Sequence, residues 1–372
     1  MKTVLFYYHP NKRSIATETL CKEISKTGNR LIVLTQTPGG DLHKQLDVLS
    51  IENHSKVYNY RFSILNYFFH FFYVAKFCRK NKIDVVWSHL NPCNFVAVFA
   101  QYFIKARTVI FRHHFHASIK IEGFSSVNKN ELKIDRIINK LAKEIVVPSN
   151  EVYNGMTIYE KVRREKIEII PYIYNFDQYS KPAATEVKAI RDKYNARLLI
   201  ITASRMIKMK RHDLVMPVYK ELIEEGYDIK ILLMDEGEEK PQLEEFVLTN
   251  KLQDKIFFPG FKTNIIDYLA SSDLLVHPSY TEASSSLVKE FGLMKKPVIV
   301  CSGVGDFDQY IVNGENGFLI PPGDEAAVFK EKIIYIYSHP EEAERMGENL
   351  YTKVIHTFSA NKDTIAKYLT KI

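Results

Sequence analysis

The chain has 372 residues, 46% hydrophobic and 26% charged, the profile of a soluble globular protein too long for one core and long enough for two. Its 15 glycines stand against 22 tyrosines and 23 phenylalanines, which excludes collagen-like, linker-rich and low-complexity readings. The net charge of +7 is unevenly held: residues 1–178 carry 26 Lys+Arg against 15 Asp+Glu (+11), and residues 179–372 carry 25 against 29 (−4).

The basic first half suits an anionic partner, a membrane surface or a phosphate-bearing acceptor, with scattered solubilising lysines as the plainer explanation. Zinc-finger, RNA-binding aromatic and basic-zipper patterns are missing from the sequence, so nucleic acid is not an expected partner. Cys21, Cys78, Cys93 and Cys301 share no metal spacing and form no disulfide framework, as befits a reducing cytoplasm. The opening MKTVLFYYHP turns polar after one short apolar run and reads as a strand rather than a signal peptide.

Short β-branched and aromatic runs alternate with helical stretches. The expected strands are Thr3–His9, Arg30–Thr37, Asp84–His89, Thr108–His113, Glu144–Pro148 and Ile167–Ile173, then Leu198–Ala203, Ile229–Met234, Ile256–Pro259, Leu274–Pro278, Val298–Cys301 and Phe318–Ile320. Strands alternating with helices predict parallel sheets covered on both faces, and two such series predict two doubly wound domains. The boundary is expected within Asn175–Glu186, where polar residues and Pro182 interrupt the pattern. The stretch Phe62–Phe77 (FSILNYFFHFFYVAKF) is shorter than the roughly 18–20 residues of a membrane span. It reads as a helix buried beneath the Asp84–His89 strand or as an interfacial helix rimmed by Arg79, Lys80 and Lys82, and apolar helices before parallel strands favour the buried reading.

The chemistry concentrates at Ser279–Gly292 (SYTEASSSLVKEFG). Three serines between a strand and a helix leave backbone N–H groups free at the helix N-terminus, a seat for phosphate. Glu290 lies one turn inside the helix from Ser286 on the same face, and Glu282 precedes the helix. Two carboxylates beside an anion seat suit hydroxyl groups of a ribose and a sugar better than phosphate itself. Arg205 and Lys210 follow the strand Leu198–Ala203, where α/β proteins bind ligands, and could neutralise a pyrophosphate.

Arg205 and Lys210 with Glu282-x7-Glu290 resemble glycosyltransferase family 4, whose members are retaining enzymes of the GT-B fold using a nucleotide-diphosphate sugar. The resemblance spans most of the chain and is strongest over residues 197–325, including Gly314, Gly317 and Gly323. Asp84–His89 occupies the family's Asp-x-x-His-x-His slot, and the acceptor-side histidine falls in Arg112–His116.

The resemblance implies an α/β, GT-B fold: two doubly wound Rossmann-like domains with an interdomain cleft that closes over substrate. An acceptor-binding domain of residues 1–178 is joined by a C-terminal helix at 358–372 that crosses back to it, and a donor-binding domain covers 179–357. Arg205 and Lys210 would hold the donor diphosphate, Glu290 the ribose and Glu282 the donor sugar. Backbone N–H groups of Ser285, Ser286 and Leu287 would meet phosphate, and main chain near Gly260 and Phe261 would line the base pocket. His113 or His114 would face the acceptor, with His89 beside them. Catalysis would run by front-face displacement with no metal and no cofactor beyond the nucleotide-sugar co-substrate.

Three departures stand out. The usual Gly-Gly loop after the first strand reads His9–Arg13, where Lys12 and Arg13 could contact an acceptor phosphate. The first histidine of the Asp-x-x-His-x-His slot is Trp87, which reads as core. The Gly-Gly-x-Pro-Glu stretch reads Gly305–Gln309, with Asp306 in place of a glycine. The expected function is glycosyl transfer to a glycan, a lipid-linked intermediate of surface polysaccharide, by a cytoplasmic protein that touches the inner face of an anionic membrane. A non-catalytic sugar-nucleotide-binding subunit and a GT-B nucleotide-sugar epimerase are the alternatives.

Overall fold

The computed structural model describes residues 1–61, 63–115 and 129–372. The chain divides into two compact units, one of Met1–Gln178 with Phe358–Ile372 and one of Tyr179–Thr357.

In the first unit, β1 (Thr3–Tyr8), β2 (Arg30–Thr35), β3 (Glu52–Ser55), β4 (Val85–His89), β5 (Arg107–Phe111), β6 (Glu144–Val147) and β7 (Ile167–Ile169) form one sheet. Its order is β3-β2-β1-β4-β5-β6-β7, and every pairing is parallel. Alternate residues feed two cores. Phe6, Val33, Trp87 and Phe111 face one layer, and Leu5, Tyr7, Ile32 and Val86 face the other. Burial on both faces explains why these strands read as continuous apolar runs.

β3 was not expected. Its sequence ENHS is polar and half-exposed, and it is a strand because its backbone extends the edge beside β2 with Ile32 opposite Glu52. The expected ends of β1, β2, β5 and β7 run too far, since pairing stops where each chain turns into a loop at the carboxyl edge.

The apolar stretch forms the helix Ser63–Lys80, and it corrects the buried reading; Phe62 lies outside the described residues. Val74, Ala75, Phe77 and Cys78 are buried, but Ile64, Phe68 and Phe72 are exposed at 63%, 53% and 53%. The apolar density of the sequence comes from both faces of one helix, so only half of it goes into the core.

The closing helix Lys362–Leu369 belongs to this first unit. Trp87, fully buried, donates its indole N–H to the Lys371 carbonyl at 3.1 Å, and Tyr368 donates to the Pro171 carbonyl at 2.9 Å.

The second unit repeats the winding with β8 (Leu198–Ala203), β9 (Ile229–Met234), β10 (Ile256–Gly260), β11 (Leu274–His277), β12 (Val298–Cys301) and β13 (Phe318–Ile320). The order is β10-β9-β8-β11-β12-β13, and again all pairings are parallel. The chain reverses direction across the sheet between β8 and β11, the switch point where loops diverge and leave a crevice. All four cysteines are free and buried.

Candidate functional site

In the second unit the loops after β8, β9, β11 and β12 gather at the carboxyl edge. The β9 loop closes over the β8 loop: the Met206 N–H donates to the Glu236 carbonyl at 3.0 Å. A Cβ on Gly237 would lie 2.2 Å from the Met206 oxygen, so no side chain fits there. After Met206 a short turn at Lys208–Lys210 delivers Lys210 toward β11, whose own loop is tied back by the Tyr280 N–H to the Met209 carbonyl at 2.9 Å.

Lys210 donates its ammonium to Glu282 Oε1, and His277, the last residue of β11, donates Nε2–H to the same oxygen at 2.8 Å. Burial alone would raise the Glu282 carboxyl, but the His277 hydrogen bond and the Lys210 charge override it and bring it down to about 2. Burial beside His277 and Lys210 lowers His212, in the same cluster, to about 4. Arg205 is exposed and makes no ion pair among the described residues. Arg211, next to Lys210 in sequence, is instead taken by Glu325.

The helix Ser286–Leu293 starts from Ser285, whose side chain does not cap it, so its first turn carries no N-cap side-chain hydrogen bond. Ser286 hydrogen-bonds the Glu290 carboxylate, while burial raises Glu290 above the usual carboxylate range. Behind this turn lies an ion pair: Lys289 Nζ donates to Asp306 Oδ2 at 2.9 Å, to Ser284 Oγ at 2.9 Å and to the Ser285 carbonyl at 3.0 Å. Both side chains are nearly inaccessible, at 1% and 0%. Burial pulls the Lys289 ammonium down and Asp306 holds it up against that, with a net lowering. Asp306 follows Gly305, whose φ of +57° favours glycine and where an added Cβ would lie 3.0 Å from Glu282 Cβ. Gly260 closes β10 at φ +75°, and Phe261 after it is 69% exposed.

In the first unit, His89 ends β4 between the rings of Phe6 and Phe111, each 4.2 Å away. Its Nδ1 lies 3.1 Å from His113 Nε2, and His113 Nδ1 lies 2.5 Å from the Tyr172 hydroxyl. Burial, with the charges of His114 and Arg112, lowers His113 to about 3, and burial beside His113 takes His89 well down too. Both imidazoles are therefore neutral at physiological pH. His114 is exposed, and His116 lies outside the described residues.

Arg13 makes a two-pronged contact to the fully buried Glu18 at 2.9 and 2.8 Å, so its fork is already engaged. Lys12 is exposed. Among the described residues no group of three His, Cys, Asp or Glu side chains could hold a metal ion.

The structure brings Lys210 and Glu282 together, sets Glu290 against Ser286, and joins His89 to His113. His277, Lys289, Asp306 and Tyr172 were missed. His277 carried a signal, a histidine closing a strand five residues before Glu282, whereas nothing in the sequence sets Lys289 apart from other lysines.

The family model described as "Glycosyl transferases group 1" matches residues 184–353, and "Glycosyltransferase Family 4" matches residues 14–177. The chain spans about half the length of the first curated relatives it matches. N-acetyl-alpha-D-glucosaminyl L-malate synthase of Bacillus anthracis is 27% identical over 210 residues, 54% of this chain and 52% of that one. N-acetylgalactosamine-N,N'-diacetylbacillosaminyl-diphospho-undecaprenol 4-alpha-N-acetylgalactosaminyltransferase of Campylobacter jejuni is 22% identical over 258 residues, 68% of this chain and 67% of that one. Anabaena Alr3699/HepE, solved in complex with UDP, superposes with a TM-score of 0.79 at 17% identity over all of both chains, a likeness that shows the GT-B fold.

Proposed function

The chain belongs to the group 1, family 4 glycosyltransferases, and on that premise we propose that it moves a sugar from a nucleoside-diphosphate sugar to a glycan acceptor with retention at the anomeric carbon. The acceptor is a lipid-linked intermediate of surface polysaccharide synthesis. The observation that carries the reading is the Lys210–Glu282–His277 cluster beside the open first turn of the helix Ser286–Leu293.

Each residue then has a task. Arg205 and Lys210 take the diphosphate, and Lys210 shares its protons between phosphate and Glu282. Glu282 is ionised at any working pH and fixed by His277, so it accepts hydrogen bonds from the donor sugar hydroxyls. Glu290 accepts from the ribose, and the N–H groups of Ser286 and Leu287 meet phosphate oxygens. Main chain at Gly260 and Phe261 lines the base.

In the reaction, the bond from the anomeric carbon to the diphosphate oxygen breaks as the acceptor oxygen bonds on the same face. The departing phosphate oxygen takes the acceptor proton, and the cations stabilise the charge left behind. His113, neutral and with both ring nitrogens engaged by Tyr172 and His89, fixes the Tyr172 hydroxyl on the acceptor side, and no metal or further cofactor takes part. The UDP held by the Anabaena protein and the diphospho-undecaprenol in the name of the Campylobacter enzyme support the donor class and the lipid-linked acceptor.

The test is thermal unfolding against UDP-, GDP- and ADP-sugars and their free diphosphates. A ligand at a hundredfold excess over its Kd stabilises the native state by about 2.7 kcal/mol. One nucleotide series should raise the melting temperature and Lys210→Ala should abolish the rise. Equal stabilisation of the variant would remove Lys210 from the site, and no response to any series would favour a subunit without donor chemistry.

A further inference from the structure

The first unit carries an apolar face that its own core does not use. Ile64, Leu65, Phe68 and Phe72 on the helix Ser63–Lys80 are exposed at 63%, 39%, 53% and 53%, and Phe99, Tyr102 and Phe103 at 38%, 55% and 60%. They form one surface. Phe68 and Phe72 have ring centroids 4.8 Å apart, Phe72 and Phe71 5.0 Å, and Phe71 and Phe103 5.3 Å. Arg79 fastens the two segments by donating to the Phe103 carbonyl at 3.0 Å.

The surroundings of this face are uniformly basic. Lys76, Lys80, Lys82 and Lys105 are exposed, and Lys143 sits 5.2 Å over the Tyr102 ring. From residue 53 to residue 121 the sequence holds ten Lys and Arg against a single acid, Asp84. A contiguous aromatic patch of this kind marks an interaction site. A second copy fits it poorly, because facing copies would bring lysine against lysine. An anionic bilayer fits both halves: aromatic rings lodge at the headgroup level while lysines reach lipid phosphates. Among the described residues no helix is long and apolar enough to cross a membrane, so the contact is one of lying on the surface.

We propose that the face built by Ser63–Lys80 and Phe99–Phe103 docks the enzyme on an anionic phospholipid bilayer. The proposal rests on the lipid-linked acceptor reading and gives it a place to happen: the docked chain meets an acceptor whose lipid sits in the same membrane.

The experiment is co-sedimentation of the full chain with vesicles of phosphatidylcholine alone or mixed with phosphatidylglycerol, at low and high salt. The chain should pellet with the mixed vesicles, at least about tenfold more weakly with phosphatidylcholine alone or at high salt. The double variant Phe68→Ser/Phe72→Ser should lose at least about tenfold in binding, and Lys76→Glu/Lys80→Glu should lose the preference for the anionic lipid. Both should keep the wild-type thermal response to nucleoside diphosphate, which shows that they are folded. Equal binding to both vesicle types, or variants that pellet like the parent, would overturn the proposal. So would a lipid-free dimer that the serine variant splits, which would make the face a self-association surface. Vesicle binding without any nucleotide response would sink the transferase reading and leave the docking face standing.

Discussion

The two units share one winding and hold different polar clusters at their carboxyl edges. In the second unit the cluster is charged: Lys210, Glu282, Lys289 and Asp306 are paired across loops. In the first the histidine pair His89 and His113 is kept uncharged by burial, and the charge beside it, buried Arg112, is already answered by buried Asp135 and Glu160. The topology does not make the difference, since both clusters sit at strand ends. The loops do. The turn after β8 brings cations to β11, whereas β1 and β5 hold Phe6 and Phe111 against His89. Cations brought to the crevice suit a diphosphate, and a neutral, aromatic-lined histidine pair suits a hydroxyl acceptor.

The largest effect should come from splitting the buried pair. Lys289→Met leaves the Asp306 carboxylate buried without its cation and should cost about 3–5 kcal/mol in denaturant unfolding. Adding Asp306→Gly should recover most of that, and a double variant as unstable as the sum of the two single variants would show that the two residues are not coupled. Next is Lys210→Ala, which should cut turnover about 10²–10³-fold while leaving the fold intact. Full activity would erase the contrast between the two edges.

Acid should then separate the clusters. His113 is held near 3 against 6.5 in its ordinary state, so the unfolded chain takes up that proton first. Its stabilisation is complete above about 6.5 and is lost as the pH falls toward 3, at up to about 1.4 kcal/mol per pH unit. Glu282 is held near 2 against 4.5, and its contribution is complete above about 4.5 and lost toward 2. Denaturant unfolding at a series of pH values should therefore show His113→Gln flattening the window from about 6.5 downward and Glu282→Gln flattening only the part below about 4.5. Reversed assignments would mean that the histidines carry the charge. The smallest effect expected is Trp87→Phe, about 1–2 kcal/mol for a lost hydrogen bond and a reduced ring, read from the unfolding midpoint.

The fold was legible because buried parallel strands announce themselves: LLIITA, IKILLM and VIVC can hardly be anything else. β3 could not be seen that way, since its identity lies in its neighbour and not in ENHS. The helix Ser63–Lys80 was legible in extent but not in orientation, because both of its faces are apolar. In the site, Arg205, Lys210, Glu282 and Glu290 stand in an ordered motif. Lys289 becomes unusual only against Asp306, 17 positions later, and Tyr172 only against His113, 59 positions earlier. Pairings across such gaps are made by the sheets, and spacing in the chain does not encode them.

Tyr368 adds an order of events. Tyr368 is 3% exposed and its ring lies 6.1 Å from Trp87 and 6.3 Å from Phe111, so it is a wall of the first core supplied by a segment that follows the whole second unit. The second unit, by contrast, is one uninterrupted run, Tyr179–Thr357. On the ribosome the part made first must therefore wait, its core open on the Trp87 side, while the part made second has everything it needs to close. Domains usually finish in the order of their synthesis; here the first unit closes only after the second.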